Sequence, residues 1–412
     1  MRFFSSAALT YAKKSKVLSH EEIMYRDPMP QRFPLLAQGF PERKGLCSAQ
    51  STVYYPGKMQ IEQKMGSGLP LPSARTIAIG GVKLDGIVLL APMSGITDVI
   101  MRRLALRLGA AGVVSEMIAS PALARSGEEA RLRLEGEGVS PHIVQIAGRD
   151  PACMAQAARI AADSGAAVID INMGCPAKRV ARQLCGSALM REPDLAERIV
   201  AAVVASVDLP VTVKMRLGYD EGSLDAPFLA RRCEAAGAQL VAVHGRTRAQ
   251  FYEGHADWAA VGQVKGQMRI PLVVNGDIAS TEDAKRALFL SGADGVMIGR
   301  AALGRPWLLG EVAGELKEEG HTSPSLVERC DIAIEHYRGL LSLYGVALGV
   351  RHSRKHLQAY AAHALAGQAR PMACGLSASL VRSEEPAEVE RLLRAIFGLA
   401  ADLGDAHLAE AA

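Results

Sequence analysis

From Ile77 to about Gly310, short apolar runs alternate with longer amphipathic stretches, and the alternation repeats eight times. The runs are IVLLAPM (87–93), GVVSEM (112–117), HIVQIAG (142–148) and AVIDINMG (167–174). VTVKMR (211–216), LVAVHGR (240–246), LVVNGD (272–277) and GVMIGR (295–300) complete the set. Between them lie stretches of helical period such as DVIMRRLALRL, PACMAQAARIAADSG, PDLAERIVAAVVASV and TEDAKRALFLSG. Near-continuous apolar runs separated by helices predict parallel strands buried on both faces. Eight such units predict an α/β fold of the (β/α)8 TIM-barrel type. The structural alternative, a doubly wound open sheet, usually shows a G-x-G-x-x-G turn opening its first helix, and none is present.

The pattern changes on either side of the barrel. Residues 1–75 lack sustained periodicity and carry Pro28, Pro30, Pro34, Pro41, Pro56, Pro70 and Pro72, the composition of a disordered extension. Their first twenty residues are basic and acid-free, as in a transit peptide. An over-long start, with Met65 as the initiator, is the favoured expectation. From about Ser323 strands give way to Ala/Leu/Arg-rich helical text. The expected organisation is an extension over 1–75, a catalytic barrel over 76–320 and a smaller all-α domain over 321–412.

Composition sharpens this only in places. The formal net charge of +4 divides into +6 over residues 1–76 and −2 over the rest, so a nucleic-acid surface must be a local patch. Seven scattered cysteines with no C-x-x-C pair argue against zinc, iron–sulfur or disulfide frameworks, and fit a reducing cytoplasm. No apolar run approaches the ~18 residues of a membrane span. No metal is expected, and a monomer is.

Polar residues at the C-terminal ends of barrel strands build active sites. Nearly every end here is loaded: Pro92-Met93-Ser94, Glu116, Gln145, Asn172 running into Gly174-Cys175-Pro176, Lys214 with Arg216, His244-Gly245-Arg246, Asn275-Gly276-Asp277 and Gly299-Arg300. Taken singly, a Lys or His in such a place is usually surface or a satisfied core group. Convergence of eight such ends in one mouth is costly without a purpose. The last two ends lie where these barrels often hold a phosphate, with Arg300 as a charge-assisted fork. Lys214 suits an anionic reduced ring, Gln145 could hydrogen-bond a ring edge, and His244 could serve either or the phosphate. Cys175 follows its strand in a Gly-Cys-Pro turn. A thiol positioned there could protonate one carbon of a double bond as hydride reaches the other. Cys153, Cys233, Cys330 and Cys374 fall in helical text and read as structural, while Cys185 lies in a loop.

The blocks APMSGITD (91–98), DINMGCPAKRV (170–180), GSALM (186–190), VKMRLG (213–218), VHGRTRAQFYEGHADW (243–258) and GADGVMIGRAALGRPWL (292–308) resemble the tRNA dihydrouridine synthases, most closely the bacterial B-type branch. The resemblance spans the barrel and enters the tail. It implies FMN held by Pro92, Met93, Ser94, Gln145, Lys214, His244, Asn275, Gly276, Asp277, Gly299 and Arg300. NADPH would be the reductant, Cys175 the general acid, and Asn172 a contact to the uracil of a D-loop uridine, position 17 in the B-type branch. Two residues depart from the family pattern: Ala359 stands in place of a tryptophan and Cys185 in place of a small residue.

The same resemblance implies that the helical domain grips tRNA. Between His336 and Ser383 there are six basic residues (Arg338, Arg351, Arg354, Lys355, Arg370, Arg382) and no Asp or Glu. Arg351, Arg354 and Lys355 are the expected phosphate contacts, and Arg246 and Arg248, with Gln250 and Tyr252, the candidates near the target base. Two other readings remain at this point. One is an FMN barrel acting on a free small molecule of dihydroorotate or enoate type. The other is a non-catalytic tRNA-binding protein.

Overall fold

In the computed structural model, residues 76–410 are described apart from 126, 178–184, 320–321 and 367–370. The extension expected over 1–75, with Met65 and Cys47, lies outside the described residues, as do Lys178–Val180 of the DINMGCPAKRV block, Arg370 and the Cys374 side chain. The described residues belong to one compact unit.

The first elements are not barrel strands. β1 (Ile77–Ile79) and β2 (Val82–Leu84) form an antiparallel hairpin. Its buried Ile77 and Leu84 reach Gly295 and Gly112, residues that open barrel strands, so the hairpin plugs the N-terminal end of the barrel. Glycine at 295 is required by the neighbouring backbone, since a Cβ there would meet the Ile87 carbonyl oxygen at 2.6 Å. Two three-residue strands fall below the length at which periodicity is visible in a sequence, so the hairpin leaves no signal there.

Then follow β3 (Val88–Leu90), α1 (Val99–Arg107), β4 (Gly112–Val114), β5 (Ile118–Ala119), α2 (Ser120–Ala124), α3 (Glu128–Leu134), β6 (His142–Ala147) and α4 (Pro151–Asp163). The series continues with β7 (Val168–Met173), a 3-10 turn over Gly186–Arg191, α5 (Pro193–Val204), β8 (Val211–Arg216) and α6 (Ala226–Ala235). It ends with β9 (Leu240–His244), α7 (Trp258–Lys265), β10 (Leu272–Asn275), α8 (Thr281–Ser291), β11 (Gly295–Ile298) and α9 (Leu308–Lys317). Among the described residues, β3, β4, β6, β7, β8, β9, β10 and β11 pair in parallel in that order, and β11 pairs back to β3. The ring is closed: this is the (β/α)8 barrel that the eightfold repeat implies.

The second strand position is broken. β4 pairs with the start of β6 and β5 with its end, and Ser115–Met117 interrupt them. Ser115 Oγ bridges the break, accepting from Gln145 N at 3.0 Å and donating to Glu116 O at 2.9 Å. Glu116 leaves the ladder there and is 4% exposed.

After the barrel come four helices, α10 (Leu326–Tyr344), α11 (Val346–Ala364), α12 (Pro371–Arg382) and α13 (Pro386–Glu410). A capping box at Ser325 and Glu328 starts the first. Their core contains Tyr337, Tyr360, Leu393 and Phe397, and Leu104 and Trp307 of the barrel complete it. Arg107 of α1 and Glu335 of α10 pair at 2.6 Å beside that seam. Barrel and helices therefore share a hydrophobic core.

Candidate active site

Alternation along each strand decides which side chains enter the barrel. On β7, Asp170 and Asn172 share a face, in register with Thr212 and Lys214 of β8, and Gln145 of β6 lies opposite Asp170. These residues form a buried chain. Thr212 Oγ1 and Gln145 Nε2 both donate to Asp170, at 2.6 and 2.7 Å, and Asn172 Nδ2 donates to Gln145 Oε1 at 2.8 Å. Burial raises the Asp170 pKa, against the hydrogen bonds from Thr212 and Gln145 and the Lys214 charge. Asp170 and Thr212 carry no signal of their own in the sequence, although each stands two residues before a candidate, Asn172 or Lys214, on the same strand face.

The chain ends on Cys175. Asn172 Oδ1 accepts from the N–H groups of Gly174 (3.2 Å) and Cys175 (3.0 Å). The Cys175 carbonyl accepts from Ser187 N at 3.2 Å and Ser187 Oγ at 2.8 Å, and the Gly174 carbonyl from Arg216 Nε at 2.8 Å. The turn is thus fixed from three directions. Burial pushes the half-buried Cys175 thiol up, while the Ala177 N–H and the Arg216 and Lys214 charges pull it down. The net direction is upward, so the group is a protonated thiol near neutral pH.

Lys214 donates to Asn275 Oδ1 at 2.9 Å, and Asn275 Nδ2 donates to Met297 O at 2.7 Å, linking three strand ends. Burial, then the Arg216 charge, lower the Lys214 pKa to about 8 against the pull of Asp170 and Cys175. Burial likewise lowers Arg216 to about 10. Its Nη1 donates to the carbonyls of Thr247 and Phe251, both at 2.8 Å, which ties the Cys175 turn to the loop after β9.

His244 stands among cations. Burial is the first cause holding its pKa well below the usual value, followed by Lys214, Arg216, Arg246 and Arg300. Asp277 is the carboxylate set against them. Burial alone would raise its pKa, but the Arg246 pair, the Ala256 N–H and Arg300 leave it lowered. Arg300 is 54% exposed on its side chain, 3.3 Å from Asp277, and its guanidinium lies 4.8 Å from the Tyr252 ring centroid. Gly276 has φ +117, and a Cβ there would meet His244 and Ala256 at 2.8 Å. Only glycine lets the backbone pass there. The mouth carries an excess of positive charge, a field that favours an anion.

Known proteins share much of this sequence. The family model described as Dihydrouridine synthase (Dus) matches residues 89–392, from the first barrel strand into α13. A probable tRNA-dihydrouridine synthase of Rhizobium leguminosarum bv. phaseoli is 51% identical over 319 residues, 76% of this chain and 96% of the relative. Another from Rhodobacter capsulatus is 49% identical over 325 residues, 78% of this chain and 98% of its own. The tRNA-dihydrouridine synthase B of Pseudomonas putida is 45% identical over 288 residues, 69% and 86% of the two chains. The chain belongs to the dihydrouridine synthase family.

Within this dihydrouridine synthase fold, the expected residues separate into two groups. Gln145, Asn172 and Cys175 are joined by one chain of hydrogen bonds, Lys214 and Asn275 by another bond and Arg246 and Asp277 by an ion pair, while His244 and Gly276 lie against each other and Arg300 completes the rim. Pro92, Met93 and Ser94 lie on the neighbouring loop after β3, where Met93 N donates to Thr97 Oγ1 at 2.9 Å. Gly299, beside them, faces Ala91 and Met93. Glu116 braces that loop by accepting from Gly95 N.

Four of the substrate-binding candidates have partners within the protein. Arg246 is 1% exposed and its donors are engaged. Nε donates to Glu253 O, Nη2 to Gly254 O and Asp277 Oδ2, and Nη1 to Asp277 Oδ1 with His244 Nε2 at 3.3 Å. It holds the loop and leaves no N–H for a base. Arg248 lies over the Tyr219 and Phe251 rings, at 5.1 and 5.2 Å. In the helical part Arg354 pairs with Glu384 at 3.4 Å, and Lys355 turns inward against Gly95. Arg351 is exposed. Arg338, counted in the same basic stretch, pairs with Glu390 at 2.5 Å. Glu384 and Glu390 fall just beyond the acid-free window, and helix packing brings them back onto it.

Among the described residues, no group of three or more His, Cys, Asp or Glu could hold a metal ion. None of the helices there is long and apolar enough to cross a membrane.

Proposed function

We propose that this dihydrouridine synthase reduces a D-loop uridine of tRNA to 5,6-dihydrouridine, with FMN at the mouth, NADPH as reductant and Cys175 as proton donor. The observation that carries this is the Cys175 turn: a protonated thiol, clamped by Asn172, Ser187 and Arg216, beside the ammonium of Lys214.

The residues fit an anionic flavin. Arg300, His244 and the backbone at Gly276 suit its phosphate, and Lys214 suits negative charge on the reduced ring. Gln145 keeps one N–H and Asn172 one N–H beyond their mutual bonds, enough to read a ring edge or a uracil edge. When bound, reduced FMN supplies the hydride for carbon 6 of the uracil. Cys175 holds the proton for carbon 5, and its raised pKa keeps that proton in place until carbon 5 gains electron density. Tyr252, 51% exposed between Arg300 and Arg216, offers a face for a base drawn out of its stack. Arg351, on the exposed side of α11, suits a tRNA phosphate.

The test is mass-spectrometric mapping of dihydrouridine in tRNA incubated with the protein, NADPH and FMN. Cys175→Ala is expected to stay yellow while product formation falls by at least about a hundredfold. A variant as active as wild type on natural tRNA would overturn the assignment.

A further inference from the structure

Helix α11 touches the rim of the barrel at two points one helical turn apart. Ala359 lies against Gly304, in the loop after β11, where a Cβ would fall 2.5 Å from the Ala359 carbonyl carbon. Lys355, four residues earlier and on the same face, lies against Gly95, in the loop after β3. A Cβ on Gly95 would fall 2.7 Å from Lys355 Nζ. β11 and β3 are neighbours in the ring, so one face of α11 spans two adjacent loops. These loops carry Pro92–Ser94 on one side and Gly299–Arg300 on the other.

Around Gly95 the charges are arranged to receive an ammonium. Gly95 N donates to Glu116 Oε1, and Asp98, at the end of the same loop, caps α1 by accepting from Met101 N at 3.0 Å. Glu116 and Asp98 are 4% and 5% exposed. The other cations facing them are Arg133, whose Nε is 4.0 Å from Glu116, and Arg102, which acts on Asp98. Burial lowers the Lys355 ammonium pKa, opposed by Glu116 first and Asp98 second.

We infer that Lys355 is a positioning residue that fixes the Pro92–Asp98 loop from the helical side through Glu116, and is not a phosphate contact. It rests on the reading above only for its effect on turnover: tRNA seated on α11 would be held in register with the mouth. The bracing itself is a property of the free protein. Its test compares wild type, Lys355→Met, Glu116→Gln and the double variant by amide hydrogen exchange at Gly95–Thr97 and by the salt dependence of tRNA binding.

In Lys355→Met, exchange at Gly95–Thr97 is expected to quicken about tenfold as the loop opens locally. The salt slope of tRNA binding is expected to stay unchanged, and kcat to fall while KM for tRNA holds. In the Glu116→Gln background, where no charge is left for the ammonium to meet at residue 116, Lys355→Met is expected to change exchange less than twofold. That second comparison also serves if the single variant does not fold. Unchanged exchange in Lys355→Met, with a salt slope reduced by about one ion, would make it a phosphate contact and overturn the inference. A tenfold change in the Glu116→Gln background would overturn it too. Wild-type protein that fails to bind tRNA would sink the functional reading alone, since exchange in the free protein still decides the bracing.

Discussion

The mouth of the barrel and the core of the helical part both hold histidines in the neutral state, by different means. His244 is kept neutral by burial and then by four surrounding cations. His336 is kept neutral by burial alone, which takes its pKa to about 3. His336 Nδ1 faces the Tyr360 hydroxyl at 3.1 Å, and its Nε2 has no protein partner. One imidazole waits in a field that an anion would cancel, and the other lies where solvent and charge are both excluded. The difference separates a site from a core, and exposure follows it: His244 is half-buried at the mouth and His336 is fully buried.

Charge pairs divide the same way, and this gives the largest expected effect. Asp277 holds Arg246, whose side chain is 2% exposed, whereas the Arg338–Glu390 pair lies at the surface with Arg338 61% exposed. Asp277→Ala leaves a buried guanidinium uncompensated, at a cost of about 3–5 kcal/mol in stability. Activity should be lost with it, since the same carboxylate orients the loop beside His244. Arg338→Gln should cost about 0–1 kcal/mol. Denaturant unfolding of both variants measures the gap, and equal losses would erase the distinction between the two regions.

That contrast also marks what could be read in the sequence. Strand ends and the two-residue period placed Gln145, Asn172, Lys214, His244 and Asn275 in one mouth, because a buried parallel strand leaves a polar residue few other places to go. Which polar groups face a ligand and which hold one another was not legible. Arg246 looks like a substrate ligand until its donors are matched to Asp277, Glu253 and Gly254, and those partners come from loop geometry. In the helices, a window free of acids suggested an open basic patch. Glu384 and Glu390 approach it across helix packing, which no linear count sees.

The next effect in size is on stability against pH, and it belongs to the helical core. His336 and His356, with ring centroids 4.5 Å apart, both have folded pKa values below the ordinary 6.5, His356 through burial, then His336, Lys355 and His352. For depressed histidines the stabilisation is complete above about pH 6.5 and is lost as pH falls toward the folded value. Each such group should remove up to about 1.4 kcal/mol per pH unit below 6.5. Thermal unfolding between pH 7 and pH 5 should show a steep decline in wild type and a shallower one in His336→Gln. Parallel declines would mean that the His336 imidazole is not the group being titrated.

The smallest effect is the most discriminating. An anion at the mouth adds negative charge beside Arg300 and His244, so it should raise the His244 pKa by on the order of one unit. The same anion should leave His336 unmoved, since no surrounding cation lowers that imidazole. Imidazole proton resonances followed through a pH titration, with and without FMN, report both residues in one sample. Inorganic phosphate should move His244 in the same direction by less, because it lacks the ring proposed to meet Lys214 and Gln145. In Arg300→Gln, one of the four cations is gone: the starting pKa of His244 should be higher and the response to phosphate smaller. A His244 resonance that ignores FMN would remove the phosphate from this end of the barrel. The cationic ring would then be scaffolding for Asp277, a role that the Arg246 geometry already shows one of its members to have.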